Sequence, residues 1–245
     1  MGAQIRHLLK APITEALVDI RTQIRPGADI GVFQRVRAEV ERTYPKVRPL
    51  QMFEGRFAAH EGQITPTASS AEAGLLFYSE DEKAVVQFRL DGFTFNKLQP
   101  YSSWEEIFPE TWRLWDLYQG AIGNVQITRL AVRYINRLPL PSADFGRYLT
   151  ALPQLPPELP QQVRSFLTRV VLYDERRTAS AGLTQAFESP LEVPAVSVLL
   201  DIDAFKECDL SPSDAQLREG FEALHDFKNE IFFGSITEET ARMFE

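Results

Sequence analysis

Apolar and polar residues alternate with a period of two from Ile13 to Ile24. Ala16, Val18, Ile20 and Ile24 fall on one side, and Glu15, Asp19, Arg21 and Gln23 on the other. The pattern predicts a half-buried strand, ended by Pro26-Gly27. The period then lengthens. Phe33, Val36, Val40 and Tyr44 form the stripe of a helix running through Val32 to Thr43, with Asp29 as its N-cap and Pro45 and Pro49 closing it. Strand character returns at Leu50 to His60, Gly74 to Ser79, Ala84 to Leu90 and Phe93 to Leu98. Asp91-Gly92 is a hairpin signal between the last two. The stretch EGQITPTASSAEAG, small and polar, reads as a loop. Ser102 or Ser103 then caps a helix carrying Trp104, Ile107, Phe108, Trp112, Trp115 and Tyr118. Pro109 sits in its first turn or splits it, and Gly120 and Gly123 end it.

The order of elements then repeats. A strand from Val125 to Leu138 ends at Pro139, followed by a short helical segment (DFGRYLTAL) and a connector (PQLPPELP) that suits neither helix nor central strand. Strands are predicted at Val163 to Tyr173, Gly182 to Phe187 and Val196 to Ile202. A last helix, capped near Ser213 or Asp214, carries the stripe Leu217, Phe221, Leu224 and Ile231. Residues 1–124 and 125–245 thus share the order strand, helix, antiparallel strands, long helix. The fold class is α+β: a duplicated unit in one compact domain, with a long antiparallel sheet and helices on one face. The first strands of the two halves should meet near a pseudo-two-fold axis.

Composition narrows the function. The 245 residues suffice for a proper core, and 44% are hydrophobic and 24% charged. A formal net charge of −8 disfavours nucleic acid as a partner. With Cys208 alone, neither an internal disulfide nor a thiolate cluster can form, and a reducing cytoplasm is the default compartment. His7, His60 and His225 have no metal spacing. No apolar run suggests a leader or a membrane span, and Arg6 stands where a myristoylation signal wants Ser or Thr. No cofactor or metal is expected. Asp201, Asp203, Glu207 and Asp209 read as a solvated strand end, Arg176-Arg177 as a solvated hairpin tip, Cys208 as an ordinary thiol and His225 as a packed side chain.

The candidate site lies in RLAVRYINRLPLP, residues 129–141. Leu130, Val132, Tyr134 and Leu138 share one face, leaving Arg129, Arg133 and Arg137 on the other. Glu15 and Asp19 occupy the corresponding face of the first strand. A cross-strand ladder of ion pairs is the simplest outcome, with Arg133 partly shielded and paired to Asp19 or Glu15. An anion-binding strip is the alternative. Ile13, Leu17, Val125, Ile127, Ala131 and Ile135 are assigned to the same open face. So many aliphatics there point to cover by loops or by a partner, most simply a second copy of the chain.

Three stretches, LKAPITEALVDIR, RLAVRYINRLPLP and LHDFKNEIFFGSITEETARMFE, resemble a patchily distributed family of uncharacterised bacterial proteins of about this length. The resemblance implies a bacterial cytoplasmic protein and carries over no activity or catalytic residue. The chain has no G-x-x-x-x-G-K, G-x-G-x-x-G, G-x-S-x-G or H-E-x-x-H motif. The leading expectation is therefore a non-catalytic interaction protein using the open sheet face for self-association or a protein partner. The alternative is an anionic small-molecule-binding protein or enzyme whose pocket is lined by Arg129, Arg133 and Arg137.

Overall fold

The computed structural model describes residues 1–60, 63–188, 196–211 and 214–245. Strand β1 (Ile13–Thr22) buries Ala16, Val18, Ile20 and Thr22 on one side, as its alternation requires. It stops two residues short of the pattern, and Ile24 is exposed. A 3-10 turn (Ile30–Phe33) and helix α1 (Gln34–Val40) follow. The Asp29 Oδ1 accepts from the Gly31 amide at 2.7 Å, and Phe33, Val36, Val40 and Tyr44 are all buried.

Strands β2 (Lys46–His60), β3 (Gln63–Tyr78), β4 (Ala84–Arg89) and β5 (Gly92–Leu98) form a meander. Residues 63–73, expected to be a loop, belong to β3, which pairs with β2 from Lys46↔Tyr78 to His60↔Gln63. Thr, Ser and Ala dominate residues 65–73, so that part of β3 carries no hydrophobic period in the sequence. Glu61 and Gly62 of that expected loop lie outside the described residues. Pro49, read as closing a helix, lies within β2, which a proline tolerates because β2 is an edge strand. Helix α2 (Trp104–Ile122) starts at Ser103, whose hydroxyl accepts from the Glu106 amide, and runs unbroken through Pro109 to Gly123.

Strand β6 (Ile127–Leu140) leads to the short α3 (Phe145–Tyr148), and then to β7 (Ser165–Asp174), β8 (Ala179–Glu188) and β9 (Val196–Leu210). Strand β9 extends eight residues past the expected Ile202, so Asp201 and Asp203 lie in mid-strand, not at a strand end. Helix α4 (Asp214–Ser235) carries the foreseen stripe, and the alternative cap, Ser213, lies outside the described residues. A last helix, α5 (Glu238–Arg242), was not foreseen. Thr237 caps it.

The nine strands of the described residues form one antiparallel sheet in the order β2-β3-β4-β5-β1-β6-β9-β8-β7. The first strands of the two expected halves are therefore neighbours, with Val18 opposite Val132. Helices α2 and α4 pack on one face, α2 over β5 and α4 over β6 and β9. One core runs from Phe33, Phe88 and Trp115 to Phe221 and Leu224, spanning both halves.

Two bulges correct the assignment of the open face. Ile13 pairs with Asn136 and Glu15 with Ile135, so an extra residue at Thr14 turns Ile13 to the helix side. Arg21 pairs with Arg129 and Thr22 with Ile127, so an extra residue at Thr128 does the same for Ile127. Val125 precedes β6 and joins the core too. Only Leu17, Ala131 and Ile135 remain among the charges.

Candidate functional site

On the face away from the helices the register lines up side chains from successive strands. One row runs Val85, Asn96, Leu17, Arg133, Asp203, Gly182 and Val171; its neighbour runs Gln87, Thr94, Asp19, Ala131, Phe205, Ser180 and Tyr173. Asp19 is the hub. Its Oδ1 accepts from Thr94 Oγ1 (2.6 Å) and Arg89 Nη2 (3.1 Å), and its Oδ2 from Arg21 Nε (3.1 Å) and Arg129 Nη1 (3.4 Å). Arg89, only 7% exposed at its side chain, also donates to Asp91 Oδ1 at 3.0 Å. Its place depends on the Asp91-Gly92 turn. Gly92 has φ +153°, and a Cβ there would stand 2.3 Å from the Ile20 carbonyl and 3.1 Å from the Arg89 guanidinium.

The expected pairing of Arg133 with Asp19 or Glu15 is not formed. Arg133 makes a two-pronged contact with Asp201, at 2.9 and 2.6 Å, and keeps 44% of its side chain exposed. Those hydrogen bonds hold its guanidinium charged. Asp19 instead takes Arg129, which also donates to Asp203 (3.0 Å) and stacks on Phe205. Glu15 accepts from Asn96 Nδ2 at 2.6 Å. Arg137 is exposed and makes no ion pair among the described residues. Burial pushes the Asp203 carboxyl above its ordinary range despite Arg129 and Arg133 nearby. This network lines an open hollow of about 560 Å³.

The rows end at β7, a sheet edge. There Leu167, Val171 and Tyr173 on the open face are 73%, 64% and 62% exposed, and Val170 and Leu172 on the other side are exposed as well. At the adjoining hairpin tip Arg176 is exposed, as expected, whereas Arg177 is tied down by pairs with Asp174 and with Glu230 of α4.

The helix side holds a second cavity, of about 240 Å³. Its walls are the N-terminal segment, the start of α2, Asn136 of β6, and one side of α4. The N-terminal segment is anchored there by hydrogen bonds from Ala3 to the Phe233 and Ile236 carbonyls and from Lys10 to the Phe244 carbonyl. His225 stacks on Trp104 with ring centroids 4.4 Å apart, the packed role foreseen for it. Burial, helped by Lys228, pushes its imidazole down to about 3. Lys228 is 5% exposed, and burial pushes its amine down to about 7.

Cys208 is half-buried, with its thiol pushed up by burial and donating weakly to the Ile127 carbonyl. Among the described residues no group of three His, Cys, Asp or Glu side chains is placed to hold a metal ion, and no helix is long and apolar enough to cross a membrane. No protein-family model and no curated protein matches the chain.

Sequence reasoning overlooked Arg89, Arg21 and Lys228 as site residues. Arg89 alternates with Gln87 beside the Asp91-Gly92 turn, which was a usable signal. Lys228 had a plainer one. The positions 217, 221, 224, 228 and 231 form a single helical stripe, and 228 is its one charged member.

Proposed function

We propose that this is a non-catalytic interaction protein that self-associates edge to edge through β7 and the strip of open sheet face beside it. The observation that carries this reading is the exposure of Leu167, Val170, Val171, Leu172 and Tyr173 on a strand with no outer neighbour among the described residues. Such an edge offers both backbone hydrogen bonds and apolar area to another strand. A second copy fits it. Under a two-fold axis through Val171, antiparallel pairing sets Val170 opposite Leu172 and the Arg169 guanidinium opposite the Tyr173 ring.

The arginine row supports this assignment over anion capture. Arg129 and Arg133 already have carboxylate partners, so an incoming anion would have to displace Asp203 or Asp201. The repeated element order on either side of the β1–β6 pair supports an internal duplication. The single cysteine and the sequence resemblance support a bacterial cytoplasmic setting.

Sedimentation velocity across the micromolar range tests the proposal. The wild type should sediment as a dimer. Val171→Lys should sediment as a monomer and keep the wild-type circular dichroism spectrum, because Val171 is exposed in the single chain. A wild type that remains monomeric throughout would overturn the reading.

A further inference from the structure

Lys228 occupies a core position on α4, within the stripe that otherwise reads Leu217, Phe221, Leu224 and Ile231. Its neighbours are neutral. Nζ donates to Asn229 Oδ1 at 2.6 Å and lies 3.7 Å from the centroid of the Tyr134 ring. Among the described residues no carboxylate comes within ion-pair distance of it. The nearby acids are engaged elsewhere: Glu222 accepts from Trp104 Nε1 at 3.1 Å, and Glu238 and Glu245 hold Arg6. Asp226, on the same helix, is exposed and contributes only at a distance.

A buried ammonium without a counter-ion is costly, and a methionine of similar length would fill the same volume at no such cost. Here the amine also lines a cavity. Trp104 and Phe232 supply apolar wall, while Tyr101 and His225 supply hydrogen-bonding groups. The Tyr101 hydroxyl meets that of Tyr134 at 3.0 Å. His225, stacked flat on Trp104, presents a neutral imidazole. Two other charged side chains line the chamber: Arg6, already paired with Glu238 and Glu245, and Glu105, exposed in the first turn of α2. Lys228 is the buried cation of the chamber without an ion-pair partner among the described residues, beside neutral polar groups and an aromatic wall. An anionic head with an apolar body completes it.

We propose that this cavity binds a small organic carboxylate, with the carboxylate as counter-ion to Lys228 and the apolar body against Trp104 and Phe232. The site is on the opposite side of the sheet from Arg129 and Arg133 and separate from β7, so it operates whether or not the chain self-associates.

Protein-observed NMR titration of the full chain with benzoate, phenylacetate and hexanoate tests the site, with phenylacetamide as the uncharged match. At least one acid should bind with saturable shifts in α4 and the first turn of α2. Phenylacetamide should bind at least about tenfold more weakly than phenylacetate. Lys228→Met, shown by circular dichroism to be folded, should lose at least about tenfold in affinity for the acid while melting at a higher temperature than the wild type. Binding of acid and amide alike, an unchanged affinity in Lys228→Met, or no saturable binding by any of the three acids would overturn the proposal. The acid-against-amide comparison needs no variant, so it stands even if Lys228→Met misfolds.

Discussion

Asp19 and Arg133 carry opposite charges on the same sheet face, yet their removal should cost very different amounts. Asp19 neutralises Arg89, which is buried and has no other partner of equal reach except Asp91. Asp19→Asn leaves that guanidinium short of charge in a dry place and should cost about 3–5 kcal/mol. Arg133 and Asp201 form a half-exposed pair, and Arg133→Ala should cost about 0.2–1 kcal/mol. Urea melts of the two variants decide the matter; similar losses would show that burial does not rank these pairs. The alternation of residues placed Arg129, Arg133, Glu15 and Asp19 on one face correctly. Partner choice was not legible. It depends on diagonal reach across β9, whose extension past Ile202 supplies Asp203 beside Arg129. It also depends on Arg89, brought to Asp19 by a turn 70 residues away in sequence.

Among the elements, the β4–β5 hairpin shows how local chemistry fixes register. Asp91-Gly92 announced the turn, and the structure adds the reason for glycine: its backbone passes so close to β1 that a side chain would strike the Ile20 carbonyl. Gly92→Ala should therefore cost about 2–4 kcal/mol, because a backbone neighbour cannot move aside cheaply. Thermal melts check this, and a loss below about 0.5 kcal/mol would mean that β1 and β5 separate easily here. Long, strongly periodic elements were legible in the sequence: β1, α2, β6 and α4. Most of β2 was legible too, whereas residues 63–73 of β3 were not, because their small and polar side chains follow no hydrophobic period. The two bulges were equally silent, and each moved an isoleucine from the expected open face into the core.

At the scale of the whole molecule, the layering of one sheet under helices makes stability depend on pH through α4. The unfolded chain's His225 takes up a proton near pH 6.5 but the folded one only near 3, so the unfolded state binds more protons between those values. Stability is therefore full above about pH 6.5 and declines as the pH falls, by about 2 kcal/mol between pH 7 and pH 5 from this group alone. Lys228 works in the same direction in another window. Its folded amine releases its proton near 7 and its unfolded one near 10.5, so stability rises across that interval. The groups around it are the Tyr134 ring, the Asn229 amide, the His225 ring and, more distantly, Asp226, with Tyr101, Arg6 and Glu105 lining the same cavity. His225→Phe should flatten the acid slope in urea melts taken from pH 7 to pH 5, and an unaltered slope would show that its imidazole is not held neutral by burial. The adjacency of β1 and β6 followed from the repeated element order, whereas the bare edge at β7 could not, since nothing in a strand's own sequence says whether its outer side has a neighbour. Cysteine cross-linking tests pairing at that edge most directly. In a Cys208→Ser background, Val171→Cys places two thiols on the proposed two-fold axis. Paired strands bring opposite Cα atoms to ~4.5–5.5 Å, within the ~4.4–6.8 Å that a disulfide spans. Mild oxidation should convert most of this variant to a covalent dimer, while an exposed control, Glu158→Cys, stays monomeric. Equal cross-linking of the two, or none at Val171→Cys, would contradict that pairing.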